Sequence, residues 1–299
     1  MNSSFGSLQR QIVQTTEAAL ACGALQPIAT QIQTVMDGDI QFCVRVVDSL
    51  VRKAAVHKAR TTSSEKRSNP FLPYEEALCV GNLSATHVCL LNKFKVVDHH
   101  ILMVTRTYES QDDWLTIADF EALAFCLIEI DGLGFYNGGQ QAGASQHHKH
   151  LQLVPFSPQQ GIQDLPIAPF IAAQQEEVAR SGYLAALPFI HRIQFLAIQW
   201  SPGSLSKVAQ ILFKTYQQLL TALNVSLTDR QPSIPYNLLI TREWMMVILR
   251  SQEASQDIGV NSLGYSGWLL VKTVKDLERL KQIGPLNLLR QTGYLAEQG

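Results

Sequence analysis

Segments of strand character and segments of helix character follow one another in blocks along this chain, and they do not alternate one for one. Without a regular strand–helix–strand rhythm a doubly wound parallel sheet is disfavoured, and an α+β fold on an antiparallel sheet is expected. IQFCVRVV at 40–47 is apolar and β-branched, as a strand requires. ALCVGNL, THVCLLNKF and HHILMVTR follow, with turn signals at Ser84 and around Asp98, and read as an antiparallel meander. FIHRIQFLAI predicts a further strand, and YNLLIT and MMVILRS predict a hairpin around Arg242 and Glu243. Helices are expected over 5–35 with a break at Pro27, from about Ser206 to Leu223, and near 273–283. Another begins at Thr116 and Asp119, a pairing like a capping box. It carries Ile117, Phe120, Leu123, Leu127 and Ile130 on one face, and Gly132 and Gly134 should end it. Residues 157–186, rich in Gln, Pro and Ala, read as a crossing segment.

Composition narrows the function only by exclusion. With 299 residues, 46% hydrophobic and 16% charged, the chain can bury a large core and is not disordered. A formal net charge of −1 offers no global field for nucleic acid or an acidic membrane, so a polyanionic ligand must be held by local donors. No run approaches the ~20 apolar residues of a membrane span. The N-terminal stretch lacks the pattern of a secretory signal, since its apolar part follows Glu17. The five cysteines are scattered among apolar neighbours without a C-x-x-C pair, as expected of buried free thiols in a cytoplasmic protein.

The segment that carries chemistry is NGGQQAGASQHHKHLQLVP, residues 137–155. Alternate side chains of a strand share a face, so His148, His150 and Gln152 should project together while His147, Lys149, Leu151 and Leu153 face the other way. Gly138, Gly139 and Gly143 allow backbone to approach a ligand closely, and Ser145 and Gln146 add polar groups. Imidazole is a good nucleophile toward phosphorus and largely neutral near pH 7, provided its second nitrogen is held as a donor. Amides, backbone N–H groups and lysines can steady the oxygens around a phosphorus in transfer. A metal site is the competing reading of His-x-His, but no further ligand follows at short spacing. A dinucleotide-binding glycine loop is disfavoured because a strand, not a helix, comes next.

HKHLQ preceded by NGGQQAGASQ resembles the active-site segment of the histidine-triad superfamily, in the branch with glutamine in the third triad place. The similarity is closer to the diadenosine tetraphosphate phosphorylases, also called ATP adenylyltransferases, than to galactose-1-phosphate uridylyltransferase. NPFLPYEEALCVGNL, HVCLLNKFKVVDHHILMVTR, YNLLITREWMMVILRS and VNSLGYSGWLLVK resemble that family too, in the same order. The resemblance implies a HIT-like antiparallel sheet flanked by helices and extended by a C-terminal segment. It divides the chain into an N-terminal helical segment (1–37), a HIT-like catalytic core (38–160) and a C-terminal ATP-adenylyltransferase region that completes the nucleotide site (161–299). It further implies that His150 attacks the α-phosphorus of an adenine dinucleotide and expels ATP. Phosphate then releases ADP from the adenylyl-histidine. Gln152 holds a non-bridging oxygen and His148 positions the nucleophile. Asn137 and the turn Gly143, Ala144, Ser145 and Gln146 meet phosphate or ribose. Lys53, Asn92 and Lys93 contact nucleotide, and Asn261, Ser262, Leu263, Trp268 and Lys272 form a second contact segment. Trp268 departs from the smaller apolar residue of the family, and His147 from a common proline. The implied partners are a dinucleoside polyphosphate, ATP, ADP and phosphate, with no nucleic acid and no membrane. Mg2+ is expected to accompany the polyphosphate, with no organic cofactor and no dedicated carboxylate cage for a metal.

Two other functions remain open at this level, a sugar-phosphate uridylyltransferase and a non-catalytic nucleotide-binding sensor. Lys53, Lys58, Arg60, Lys66 and Arg67 make the densest basic stretch, read as a solvated loop or a flap for the polyphosphate. His99 and His100 read as structural, Asp112, Asp113 and Asp119 as helix-start carboxylates, and Phe94, Phe135 and Tyr136 as core residues that could flank an adenine.

Overall fold

The computed structural model describes residues 6–47, 69–156 and 165–295. The basic stretch with Lys53 therefore lies outside the described residues. In chain order the elements are α1 (Leu8–Ala21), β1 (Thr30–Asp37), β2 (Ile40–Val47), β3 (Cys79–Asn82), β4 (His87–Leu91), β5 (Ile101–Thr105), α2 (Ile117–Glu129), β6 (Gly132–Gly138) and β7 (His150–Pro155). They continue with α3 (Ala168–Ala173), α4 (Gln175–Ser181), β8 (His191–Phe195), α5 (Leu205–Ala222), β9 (Tyr236–Ile240), β10 (Trp244–Leu249), β11 (Ala254–Ser255), β12 (Ile258–Gly259), α6 (Ser262–Tyr265), β13 (Trp268–Val271), α7 (Val274–Ile283) and α8 (Pro285–Thr292).

Eight strands form one sheet in the order β3-β4-β5-β7-β6-β9-β10-β8, and each neighbouring pair is antiparallel. This is the expected α+β architecture, and strands from both halves of the chain share the sheet. Strand periodicity divides most of the apolar side chains between two large cores, and Val88, Leu90, Leu102 and Val104 form a smaller one with Phe71. Leu151, Leu153, Leu238, Ile240 and Val247 pack against Leu8 of α1, Phe120 of α2 and Leu212 and Tyr216 of α5. On the other face Val154, Phe135, Leu239 and Met246 meet Phe42 and Val44 of β2, Leu269 of β13 and Leu280 of α7. Burying each such side chain contributes roughly 1.5–3 kcal/mol. Helix α5 lies on α2, where Phe120 and Tyr216 have ring centroids 5.3 Å apart. No helix among the described residues is long and apolar enough to cross a membrane.

Three expectations are corrected. Residues 30–37 are not helical: they pair with β2 from Thr30↔Val47 to Asp37↔Ile40. Polar and apolar residues there fit a strand as well as a helix, and Gly38, at φ 56°, takes the turn between them. Gly132 and Gly134 do not cap α2, which ends at Glu129, but lie inside β6. A Cβ on Gly132 would come within 2.5 Å of the Val154 carbonyl oxygen, and one on Gly134 within 2.7 Å of Leu123 Cδ1, so close packing demands both glycines. Cys22 is exposed, because it follows the last turn of α1, whereas Cys89 and Cys126 are buried.

Candidate active site

Strand β7 carries the chemistry. It sits between β5 and β6, with Leu102 and Phe135 both opposite Gln152. Leu151 and Leu153 are committed to the helix-side core, which turns His150 and Gln152 to the opposite face. His148 precedes the strand on an isolated bridge to Ser110. It reaches the same side, since Phe71 lies 5.6 Å from its ring and 5.3 Å from that of His150.

The tautomers of the two histidines follow from their partners. His150 Nδ1 lies 2.8 Å from the backbone oxygen of His148, which can only accept, so Nδ1 carries the proton. Nε2 keeps its lone pair and has no partner among the described residues. Burial lowers the His150 pKa to about 4, although the bond to the His148 carbonyl opposes the shift, so the ring is neutral at physiological pH. His148 is the other tautomer: Nε2 donates to the Thr105 carbonyl at 2.8 Å, and Nδ1 accepts from Asn69 Nδ2 at 3.0 Å.

Gln111, which the sequence does not single out, positions the nucleophile. Its Oε1 accepts from the His150 backbone N–H at 2.8 Å, and its Nε2 donates to the Asn137 carbonyl at 2.8 Å. Tyr136 Oη donates in turn to the Gln111 carbonyl at 2.6 Å, which makes Tyr136 a core residue and not an adenine contact. Buried Lys149 anchors an ionic cluster. Lys149 Nζ donates to Glu109 Oε2 at 2.6 Å and lies 3.7 Å from Asp119, which also bonds His87 at 3.0 Å. Asp119 Oδ2 accepts from the Thr116 backbone N–H at 2.7 Å, as the capping box predicts.

Beside Gln152 opens a cavity of about 510 Å³, a volume in the range of small-molecule sites. Of the residues assigned to the site from the sequence, Asn92, Asn137, Gly143, Ser145, Gln152, Asn261, Leu263, Trp268 and Lys272 line it. Arg45, Phe94, His100 and Glu253 line it as well. The cavity stops short of the His150 ring, which is 4% exposed beneath Phe71.

Several expected contacts are arranged otherwise. Lys93 pairs with Glu75 at 2.6 Å and does not line the cavity. Ala144 spends its N–H on the Gly139 carbonyl inside the turn, and Gln146 is half-buried away from the lining. Ser262 is fully buried; its Oγ donates to Asn137 Oδ1 at 2.7 Å or to the Tyr136 carbonyl at 2.9 Å. It therefore orients a ligand-facing residue without facing the cavity itself. His100 is no bystander, because its Nε2 lies 2.9 Å from Gln152 Oε1.

A second buried relay sets Asn137. Arg250, fully buried, donates from Nη1 to Asn237 Oδ1 at 2.6 Å, so Asn237 must present Nδ2 to Asn137 Oδ1 (2.9 Å) and to the Ala142 carbonyl (2.8 Å). Asn137 Oδ1 also accepts from the Ser262 backbone N–H at 2.9 Å, which leaves its N–H pair for the cavity it lines. Asn237 and Arg250 carry one sequence signal, a polar group set in or at the end of an apolar strand. Gly143, at φ +89°, packs so tightly on the second segment that a Cβ would lie 2.7 Å from Asn261 Cβ. Among the described residues no three His, Cys, Asp or Glu side chains group to hold a metal ion.

A neutral histidine on a β-strand whose Nε2 has no partner among the described residues, a glutamine two residues on, and a cavity edged by amide donors are the features expected of a nucleotidyltransferase of the histidine-triad superfamily. Comparison with known proteins supplies the family. The Ap4A phosphorylase N-terminal domain family matches residues 1–173, and the ATP adenylyltransferase C-terminal domain family matches 185–295. The chain belongs to the Ap4A phosphorylase family. It is 29% identical over 265 residues to diadenosine 5',5'''-P1,P4-tetraphosphate phosphorylase 2 of Saccharomyces cerevisiae, covering 81% of this chain and 79% of the relative. The crystal structure of yeast Ap4A phosphorylase Apa2 superposes with a TM-score of 0.76 at 24% identity, covering 100% of this chain and 97% of that one. The same enzyme in complex with AMP gives 0.72 at 26% identity, covering 99% and 100%.

Proposed function

We propose that this enzyme catalyses the reversible phosphorolysis of diadenosine tetraphosphate to ATP and ADP through a covalent adenylyl-histidine at His150. The observation that carries the mechanism is the bond from His150 Nδ1 to the His148 carbonyl, which leaves Nε2 as the nucleophile. In the first step the Nε2 lone pair forms the N–P bond to the α-phosphorus, and the P–O bond to the departing ATP breaks. The ring gains positive charge as this happens, and the Nδ1–H···O=C bond strengthens to share it. In the second step an oxygen of inorganic phosphate attacks the same phosphorus, the N–P bond breaks and ADP leaves. The imidazole regains its lone pair, so no proton need be stored on the enzyme between steps. A polyphosphate leaving group is a weak base, and the demand falls on donors to the oxygens at phosphorus. Gln152 and Asn137 offer amide N–H groups there, and Lys272 and Arg45 add positive charge at the cavity.

The match to the Ap4A phosphorylase family supports this substrate, as do relatives named for it and an Apa2 structure solved with Ap4A. Mg2+ is proposed to enter on the polyphosphate. Glu253 is the carboxylate that the described cavity lining offers it, alongside amides and cations. A cytoplasmic setting belongs to the same proposal, based on unpaired cysteines among apolar neighbours.

The test is incubation with dinucleotide labelled at the α-phosphate, without inorganic phosphate. Acid-labile, base-stable label should appear on the protein, and adding phosphate should discharge it as ADP. His150→Ala should abolish the label and leave the fold intact. Labelling from a uridine donor alone would identify a uridylyltransferase, and nucleotide binding without label would identify a sensor.

A further inference from the structure

We propose that His100 is a positioning residue that holds the Gln152 carboxamide with its N–H pair toward the phosphoryl group in transfer. The proposal rests on the phosphorolysis reading and names a residue which that reading does not assign.

One atom beside this pair can play only a single role. The Phe94 backbone N–H lies 3.3 Å from Asn92 Oδ1 and can only donate. Asn92 must therefore turn Nδ2 the other way, to His100 Nδ1 at 3.2 Å, and that ring nitrogen accepts. A second bond, from the Asn92 backbone N–H to the His100 carbonyl at 2.9 Å, holds the two residues together. His100 is 6% exposed and packs 5.7 Å from the Phe135 ring. Burial lowers its pKa to about 4, against the opposing bond to Gln152, so it is neutral and its one ring proton sits on Nε2. Nε2 donates to Gln152 across 2.9 Å, and Gln152 must meet it with Oε1. The two N–H bonds of Gln152 have no partner among the described residues, and Gln152 lines the cavity. The strand register makes the meeting reproducible: Leu102 pairs with Gln152, and His100 lies two residues earlier on the same face of the chain entering β5.

The orientation matters because the two ends of a carboxamide have opposite sign. With N–H outward, Gln152 donates to a non-bridging oxygen whose charge grows as the phosphorus is attacked. Turned over, it would set its own oxygen against that charge. An unheld glutamine samples both, and removing a preorganised donor of this kind costs on the order of 10²–10³ in rate. His100 acts on the transferring phosphoryl group through Gln152, whose oxygen it holds at 2.9 Å.

His100→Phe keeps bulk and burial and removes the donor. The expected result is a kcat lower by about 10–100-fold, less than outright removal of such a donor costs, with KM moved far less. His100→Gln, which restores a donor, should recover part of the loss. In a Gln152→Ala background His100→Phe should cost nothing more, since there is no amide left to orient, and AMP binding by calorimetry should show the same non-additivity. In the wild-type enzyme ¹⁵N shifts of the His100 ring should report the Nε2–H tautomer. A folded His100→Phe enzyme with wild-type kcat, or an equal loss with and without Gln152, would overturn the proposal. So would the Nδ1–H tautomer. A wild-type enzyme unable to phosphorolyse diadenosine tetraphosphate would instead remove the functional reading, and the AMP-binding cycle and the tautomer would still decide on His100.

Discussion

Nη1 of Arg250 donates to Oδ1 of Asn237 across 2.6 Å, and this bond dictates which end of the Asn137 amide faces the cavity. The guanidinium also donates to the carbonyls of Ala142 at 3.1 Å and Val260 at 2.8 Å, and lies 5.1 Å from the centre of the Tyr265 ring. It therefore ties the glycine turn before β7 to the segment that carries Asn261. Arg250→Met should strand several buried oxygens and lower stability by about 3 kcal/mol, read by urea unfolding. Arg250→Lys keeps a charge but not the planar fork, and should lower nucleotide affinity more than it lowers stability.

Gln111 bonds the backbone of the nucleophile itself. Gln111→Leu has a similar size but neither donor nor acceptor, and leaves the His150 N–H and the Asn137 carbonyl without these partners. We expect a loss of roughly 2–3 kcal/mol and a fall in kcat of at least tenfold, with single-turnover label transfer slowed in proportion. Unchanged transfer kinetics would show that the strand holds His150 without help.

Gly143→Ala should weaken nucleotide binding. The new methyl would press on Asn261 at 2.7 Å, and the backbone there is left-handed at φ +89°. Strain of about 1–3 kcal/mol should separate the turn from the second segment. Calorimetric titration with AMP should show the lower affinity, while α5, remote from the turn, keeps its hydrogen-exchange protection.

Acid should act on rate and on stability by different routes. Rate of label transfer depends on the Nε2 lone pair, so it should stay level below pH 6.5, where an exposed histidine would already protonate, and fall as pH approaches about 4. Stability behaves otherwise. His150, His100 and His191 have folded pKa values lowered to about 4 by burial, so between that value and the usual 6.5 the unfolded chain binds more protons. Their contribution is complete above pH 6.5 and is lost as pH falls toward 4. Asp119 adds to this trend at lower pH. Burial alone would raise its pKa, but the bond from His87 and the charge of Lys149 outweigh it and keep the carboxyl below its usual value. Thermal melts from pH 7 to 4 should show a falling midpoint over the range in which early rates hold steady.

Much of the site is legible in the sequence. The alternation in HHKHLQLV, the glycines before it and the cavity residues Asn92, Asn137, Asn261, Trp268 and Lys272 all carry over to the structure. The hairpin of β9 and β10 and helix α7 lie where the residue pattern put them. Gln111, Asn237 and Arg250 were not legible, and His100 read as structural. Each acts on a partner distant in the chain, as Asn237 does on Asn137, one hundred residues away, through the β6–β9 register. Lys93 and Ser262 matched by position, yet Glu75 and Asn137 take up their polar atoms.

What the sequence alone determined is which residues share a face. The two-residue period of a strand is a property of the covalent backbone, so His150 and Gln152 point one way, and Leu151 and Leu153 the other, whatever surrounds them. The tertiary structure alone decided which atom of each polar group is offered to a ligand. An imidazole or a carboxamide can be turned over at little local cost. A buried partner that can only donate, such as Arg250, or only accept, such as the His148 carbonyl, removes that freedom, because an unpaired polar group away from water is expensive.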